Sequence, residues 1–295
     1  MTTYITEAST APESTLARIG RSRVTLALAA AMIALPAVWL IITRGIPAIA
    51  DDTPVHLMRL FVFDLHVRHG EWLPRWIPEL YTGYGYPLFN FYAPAMYYVS
   101  ETLHLGGLGQ AAAYGWSYVL AVLFGAVGAA FLASDLYASP VKNGGADGAP
   151  LAPRASPIPA FWPGLLAAAA YTYATYLLAN VFVRGAFGEI GAQALLPWLF
   201  WALRRMMTAR RPLPSLVLGA TLLALLAMTH TITFLLALPW LAGYAVVLAL
   251  ALRDTGRPAW KLLAAPAAAA VVAALLSAIV WLPQLLERAS LSESA

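Results

Sequence analysis

Two adjacent carboxylates, Asp51 and Asp52, follow a long apolar run and directly precede a Thr-Pro pair. A hydroxyl residue followed by proline is typical of a helix start, whose partial positive charge favours ionised carboxylates beside it. His56 and Arg59 follow within two helical turns. A carboxylate kept ionised by a helix N-terminus and a nearby cation can act as a general base or a metal ligand.

A helix over Thr53–His69 would carry these groups, because its side chains fall into two stripes at spacings of three and four. The apolar stripe contains Leu57, Leu60, Phe61 and Leu65, and the other contains His56, Arg59, Phe63 and His66. We predict that the helix lies flat in the membrane interface, with His56 and Arg59 presented upward beside Asp52. Asp64 and Arg68 should form an i,i+4 pair.

The composition is that of an integral membrane protein. About 61% of the 295 residues are hydrophobic and only 11% are charged, too few to cover a water-exposed surface. The absence of cysteine excludes disulfides, thiolate metal sites and thiol nucleophiles. We therefore expect membrane lipid as a partner and no nucleic acid.

Apolar runs long enough to span a bilayer predict an all-α polytopic protein with about seven transmembrane helices. The segments are Val24–Thr43, Ala111–Ser134, Phe161–Val183, Gly188–Leu203, Leu213–Thr229, Thr231–Leu252 and Leu262–Leu282. Ala93–Leu105 is too short to span and contains Glu101 and His104, so we predict a second interfacial helix there. Ala48-Ile49-Ala50 imitates a signal-peptide cleavage site, but the preceding run is long and favours an uncleaved anchor.

Lysine and arginine set the orientation, because cytoplasmic segments carry most of these residues. With the N-terminus inside, twelve of the eighteen fall on the cytoplasmic side: Arg18, Arg21, Arg23, Lys142, Arg154, Arg204, Arg205, Arg210, Arg211, Arg253, Arg257 and Lys261. The predicted organisation is a cytoplasmic tail (1–23), a transmembrane module (24–282) and an external tail (283–295). Within the module we predict external loops at 44–110 and 184–189 and a cytoplasmic loop at 135–160.

The long external loop is crowded with aromatic residues, in strings such as "GYGYPLFNFYAPAMYY". Aromatic side chains are enriched at the headgroup level for structural reasons alone. They can also form a platform for sugar rings or a prenyl chain. The candidates for a platform are Tyr84, Tyr86, Phe89, Asn90 and Tyr92.

Four strings, "DDTPVHLMR", "GYGYPLFNFYAP", "VRGAFGE" and "WLPQLLE", resemble the bacterial membrane proteins labelled 6-pyruvoyl-tetrahydropterin synthase-related. That family is close to the GT-C and YfhO-like membrane glycosyltransferases, and the resemblance covers about residues 24–288. It implies a GT-C-like module in the cytoplasmic membrane of a bacterium. The implied activity is sugar transfer from a polyprenyl-phosphate donor to an unknown acceptor on the outer face. Such a reaction would build envelope polysaccharide or glycosylate a lipid or protein.

The resemblance also implies roles for individual residues. The acid at the start of the first external loop serves as general base or metal ligand, which falls on Asp51 or Asp52, and we favour Asp52. Glu189 matches the acid of the second loop. His56, Arg59 and Arg184 would stabilise the donor phosphate. A divalent cation, Mg²⁺ or Mn²⁺, held by Asp52 and Glu189 is left open, because the loop has no D-x-D motif.

Two features separate the chain from the proteins that it resembles. The family label refers to a zinc enzyme, but the spacing of His56, His66 and His69 does not favour a zinc site. Related proteins continue with more helices and a soluble domain, so we expect a longer protein beyond Ala295. The alternative function is a non-catalytic membrane protein that binds or translocates a lipid-linked carrier, or acts as a scaffold for an envelope-assembly complex.

Overall fold

The computed structural model describes residues 22–46, 50–138, 159–209, 211–252 and 258–287, and this part of the chain is helical. Most of the predicted tail 1–23 and loop 135–160, the Ala48-Ile49 site and residues 288–295 lie outside the described residues. The helices are α1 (Arg23–Arg44), α2 (Thr53–Arg68), α3 (Leu88–Phe91), α4 (Ala95–Leu105), α5 (Gln110–Ala138), α6 (Phe161–Thr172), α7 (Thr175–Ala179), α8 (Phe187–Thr208), α9 (Leu213–Thr229), α10 (Thr231–Ala251) and α11 (Ala259–Glu287).

Four described helices, α1, α5, α10 and α11, are long and apolar enough to cross a membrane. A fifth span results if α6 is joined to the Thr175–Arg184 segment, which is bent by 41° relative to it. α9 is apolar but has only 17 residues. All the predicted apolar segments are helical, although the third is broken after Thr172. An integral membrane protein is thus supported by length and composition, and seven spans remain a prediction.

The main core forms around α5, which packs against α1, α4, α6 and α8. Small residues allow this close approach. A Cβ on Gly125 would overlap the Tyr171 hydroxyl, and one on Gly128 would lie 2.7 Å from the Trp198 ring. α1 contributes a face of buried residues at helical spacing, namely Leu26, Ala30, Ala34, Val38 and Ile41. Apolar clusters between α8, α9, α10 and α11 complete the bundle.

Asp135 ties three helices together at one end of this bundle. From α5 its carboxylate pairs with Arg23 of α1 and lies 3.4 Å from the Arg205 guanidinium of α8. It also accepts a hydrogen bond of 2.7 Å from the Trp201 indole. Carboxylates with several cationic and N–H partners fix helix positions, so Asp135 sets the relative register of α1, α5 and α8.

α2 has the predicted length, but two details differ from expectation. Asp52, not Thr53, is the N-cap residue, and its side chain makes no capping hydrogen bond. The predicted outward direction of His56 is wrong. The stripe of His56 and Phe63 faces the protein interior, where aromatic residues of α4, α5 and α8 surround it. Exposed apolar residues, among them Phe61, occupy the outer face.

A helix, α4, forms in the segment predicted to be helical and begins after Pro94. Its Glu101 is only 3% exposed, and burial together with neighbouring Asp64 raises the pKa of this carboxyl. The predicted pair of Asp64 and Arg68 is present, with 2.5 Å between Oδ1 and Nε. His104 joins this group, its Nε2 lying 3.0 Å from an Arg68 nitrogen. The polar side chains of α2 and α4 therefore face each other and hold the two helices together.

Candidate functional site

The two segments predicted to share a site lie side by side. The Asp51 backbone N–H donates to the Val183 carbonyl at 3.0 Å, and that of Asp52 donates to the Arg184 carbonyl at 2.8 Å. Both aspartates are exposed. The fold thus places the acid pair beside the backbone of Arg184, although six helices, α2 to α7, lie between the two segments in the sequence.

Gly185 makes this approach possible, because its φ of +66° is a left-handed conformation that glycine adopts without steric cost. A Cβ at this position would lie 2.6 Å from Thr53 Oγ1 and 3.1 Å from the Thr53 nitrogen. Gly185, the first glycine of "VRGAFGE", is therefore required where the two segments touch.

Gly185→Ala is expected to lower the melting temperature of the detergent-solubilised protein. Left-handed backbone costs an L-residue about 1–2 kcal/mol, and the contact with Thr53 adds to this cost. Gly70→Ala is the matched control, because Gly70 has a φ of +87° but nothing within 4 Å of an added Cβ. Equal losses of stability in the two variants would show that the contact between the segments contributes nothing.

Glu189 and Arg184 form the centre of a polar cluster at the start of α8. Arg184 Nη1 lies 2.8 Å from Glu189 Oε2 and donates to Asn180 Oδ1 at 2.6 Å. The Tyr176 hydroxyl donates to the other oxygen of Glu189. Glu189 is therefore held by a cation and a phenol, which suits it to position Arg184. The hydrogen bonds described for the guanidinium all use Nη1, which leaves Nη2 and Nε for an anionic ligand.

His56 differs most from its predicted role. It is 3% exposed, and its Nδ1 lies 2.6 Å from the Tyr97 hydroxyl. The rings of Tyr92, Tyr114 and Phe187 also surround it. Burial, with a smaller contribution from Arg59, lowers the pKa of His56 to about 3. The imidazole is neutral at ordinary pH, so the prediction of a phosphate-binding cation at His56 is wrong.

Arg59 keeps a position that suits an anion-binding group. Its guanidinium carbon lies 4.3 Å from the centre of the Tyr92 ring, a cation–π geometry. Burial raises the pKa of Tyr92, while the charge of Arg59 lowers it and that of Asp52 raises it. The charges of Arg59 and Asp52 therefore shift the pKa of the Tyr92 hydroxyl in opposite directions.

The predicted aromatic platform separates into two groups. Phe89 and Asn90 are buried, at 3% and 5% exposure, so neither can be part of an exposed platform. Phe89 packs edge-on against Phe63, and Asn90 donates to Glu287 at 2.7 Å. Tyr84 and Tyr86 are exposed, and partly buried Tyr92 pairs with Arg59. Phe89 and Asn90 therefore contribute to packing between helices, because each contacts a residue of another helix.

Among the described residues, no group of three or more His, Cys, Asp or Glu is arranged to hold a metal ion. Glu189 is already paired with Arg184, and the three histidines of the α2 region have separate partners. His56 contacts Tyr97, His66 contacts two glutamates, and His69 contacts the Leu65 carbonyl. The side chains of this region therefore do not fit the metal that the resemblance left open.

A cavity of about 430 Å³ leads away from the polar cluster, between α5, α6–α7 and α8. Tyr176 lines one end of it, and Ala133 and Leu136 of α5 line the other. The break between α6 and α7 and Pro197 within α8 disturb the helices along its wall. The lining is almost entirely apolar, so the cavity suits a hydrocarbon chain whose polar end lies at Tyr176.

Sequence reasoning missed Tyr176, Asn180 and this cavity. A signal for the first two was present, because Tyr176, Asn180 and Arg184 are spaced by four and so share one face of a helix. The cavity had no such signal, since the break after Thr172 contains neither glycine nor proline. Its lining comes from three separate parts of the chain.

His66 connects α2 to the loop that follows it through contacts with two glutamates. Its Nδ1 lies 2.5 Å from Glu71 and its Nε2 lies 3.0 Å from Glu79. Partial burial lowers the pKa of His66, but the hydrogen bonds to Glu79 and Glu71 outweigh it and the pKa is raised. A neutral imidazole has one N–H, so only the protonated ring donates to both carboxylates. The charge of His69 also contributes to lowering the pKa of Glu79.

Raising the pH is expected to loosen the loop at 71–86. Because the folded pKa of His66 lies above its ordinary value of 6.5, the stabilisation is complete below that value and is lost as the pH rises through the raised pKa. The backbone amide hydrogen-exchange rates of this loop should be compared between the wild type and His66→Gln at each pH. The two rates should differ at low pH and converge at high pH. A constant difference across the range would contradict titration of His66.

No protein-family model, curated protein or solved structure matches the chain. The resemblance to GT-C glycosyltransferases therefore remains a hypothesis. Function has to be inferred from the chain's own residues.

Proposed function

We propose that the protein is a membrane glycosyltransferase of the GT-C type, which takes a sugar from a polyprenyl-phosphate donor at the outer face of the bacterial cytoplasmic membrane. One observation carries the proposal. Tyr176 lines the apolar cavity and hydrogen-bonds to Glu189, the ion-pair partner of Arg184, and backbone hydrogen bonds join the acid pair to Val183 and Arg184. A site for a hydrocarbon chain, a site for a phosphate and a candidate base thus follow one another in space.

In the proposed reaction, the prenyl chain lies in the cavity and the phosphate contacts Arg184 and Arg59. The Asp52 carboxylate takes the proton from an acceptor hydroxyl, whose oxygen then attacks the anomeric carbon of the sugar. The bond between that carbon and the phosphate oxygen breaks, and polyprenyl phosphate leaves with the electron pair. The arginines stabilise the charge that grows on the phosphate. Glu189 acts by holding Arg184.

The proposal includes seven spans with the N-terminus inside, so that residues 44–110 and 184–189 face outward. The excess of lysine and arginine on the other side supports it. A periplasm-specific reporter fused at Gly70 is expected to be active, and one fused at Thr208, after the fourth predicted span, to be inactive. Activity of a cytoplasm-specific reporter at Gly70 would contradict the orientation.

Transfer itself is tested with a radiolabelled sugar on polyprenyl phosphate, added to membranes containing the protein. The expected result is label in a new glycosidic product, together with release of polyprenyl phosphate. Matched membranes without the protein are the control. Failure to form product from any of a panel of donor sugars, with the protein present at normal levels, would contradict the proposal.

Carrier translocation is the second candidate, and the residues that line the cavity favour it. The cavity extends from Tyr176 to Leu136, which adjoins the Asp135 cluster at the other end of the bundle. Cationic groups thus lie at both ends of one apolar path. A carrier that crosses the bilayer of proteoliposomes without forming a new glycosidic bond would support translocation over transfer.

A further inference from the structure

The turn after α2 exposes several aromatic rings. We call residues 76–86 the aromatic turn. Its exposed rings are Trp76, Tyr81, Tyr84 and Tyr86, of which Tyr84 is 87% exposed. The large hydrophobic side chains that the turn exposes are all aromatic. The exposed surface of α10, in contrast, contains leucine, isoleucine and valine as well as one tryptophan.

Backbone hydrogen bonds join the two ends of the aromatic turn, and one of its residues is buried in the core. Ile77 and Tyr86 exchange backbone hydrogen bonds of 2.9 and 3.0 Å, and Ile77 is fully buried. The Trp76 ring packs so closely on Gly85 that a Cβ there would overlap it. Tyr81 and Thr82 have φ values of +52° and +59°, which L-residues rarely adopt. These contacts define the backbone path of the turn despite the strain at Tyr81 and Thr82.

Carbohydrate is the ligand class that this chemistry fits. The electron-rich face of an aromatic ring attracts the weakly positive C–H groups on one face of a sugar ring. Glu71 and Glu79, at 47% and 42% side-chain exposure, provide carboxylate oxygens that accept hydrogen bonds from sugar hydroxyls. The same carboxylates disfavour anionic lipid headgroups.

The distance from the acid pair indicates how long this carbohydrate is. Glu79 binds His66, which follows Asp52 by 14 positions along α2. At 1.5 Å per residue, His66 and the Glu79 carboxylate that contacts it lie about 20 Å along the helix from the candidate base. An oligosaccharide of several rings spans this distance, whereas a single sugar does not.

We propose that the aromatic turn is a subsite for the distal sugars of an oligosaccharide acceptor whose reacting end lies at Asp52. The proposal rests on the proposed function, since it extends the same site. The acceptor is then a growing glycan, and recognition increases with its length until the chain reaches Tyr84 and Trp76.

The test is binding of neutral glucose, mannose and N-acetylglucosamine oligomers of increasing length to the protein in nanodiscs, without donor. For at least one series, affinity should rise with length. Tyr84→Ala should lower the affinity of the long members about tenfold, the size of one lost stacking contact, and leave the monosaccharide unchanged. Trp240→Ala, which removes an exposed ring of α10, is the control and should have no effect. Affinity independent of length, or unchanged in Tyr84→Ala, would overturn the proposal.

A spin label decides between carbohydrate and membrane. The chain has no cysteine, so Tyr84→Cys provides a unique attachment site. We expect the label to be accessible to a water-soluble relaxation agent, and a label at bilayer depth would overturn the proposal in favour of a membrane anchor. Because glycan binding is measured without donor, the two proposals can fail separately. Absence of sugar transfer with normal glycan binding would contradict the proposed function. Sugar transfer whose rate does not depend on acceptor length would contradict only the subsite.

Discussion

Asp52→Asn is expected to lower sugar transfer by on the order of 10²-fold or more while the protein remains folded in the membrane, as loss of a general base does. Asparagine keeps the size of the side chain but cannot take a proton from the acceptor. The substitution should not damage the fold, because Asp52 is exposed and its side chain makes no capping hydrogen bond. The measurement is turnover of labelled donor at equal protein levels.

Asp51→Asn is the matched control, since Asp51 is the exposed neighbour with the same backbone pairing. It should cost much less than Asp52→Asn. Arg59→Ala should weaken donor binding and turnover together, because phosphate stabilisation grows in the transition state. Full activity in the Asp51→Asn/Asp52→Asn double variant would end the catalytic interpretation and leave the acids as a feature of the helix start.

If the proposed function holds, Ala133→Phe is expected to make the protein discriminate against donors with long prenyl chains. Ala133 lines the end of the cavity opposite Tyr176, so a phenyl ring there excludes the distal carbons of the chain. Each CH₂ removed from an apolar site costs about 0.8 kcal/mol, so losing several lowers kcat/KM for a long-chain donor on the order of 10²-fold. A donor whose chain ends before Ala133 should react as in the wild type.

Ala264→Phe is the control for this substitution, because Ala264 is an exposed residue of α11 outside the cavity lining. It should leave both long and short donors unaffected. If Ala133→Phe lowered kcat/KM equally for the long and short donors, the ring would be disturbing the fold. The cavity would then not be the binding site of the prenyl chain.

The helices were predictable because their sequences show apolar periodicity over long segments. α1, α2 and α5 each begin and end within a few residues of the predicted bounds, apart from the last turn of α5. The break after Thr172 was not predictable, since the local sequence there lacks the usual breakers. The helices on either side of it pack against parts of the chain that are distant in sequence, which local sequence does not reveal.

The roles of the candidate site residues stay predictions. The backbone hydrogen bond between Asp52 and Arg184 brings together two segments that are distant in the sequence. The direction of His56 could not be derived from α2 alone, because the rings of Tyr97, Tyr114 and Phe187 that surround it come from other helices. The surroundings of Glu189 could not be derived from α8 alone either, because the uncharged Tyr176, which donates a hydrogen bond to it, belongs to α7.

Photo-crosslinking of a polyprenyl phosphate with a diazirine on its first isoprene unit tests most directly whether the donor occupies this site. The predicted result is label in residues 174–193, competed by unlabelled polyprenyl phosphate and lost in Arg184→Gln. Arg68→Gln, which removes an arginine of a different ion pair, should leave labelling unchanged. Label confined to the lipid-facing surfaces of α10 and α11, or unaffected by Arg184→Gln, would contradict the account.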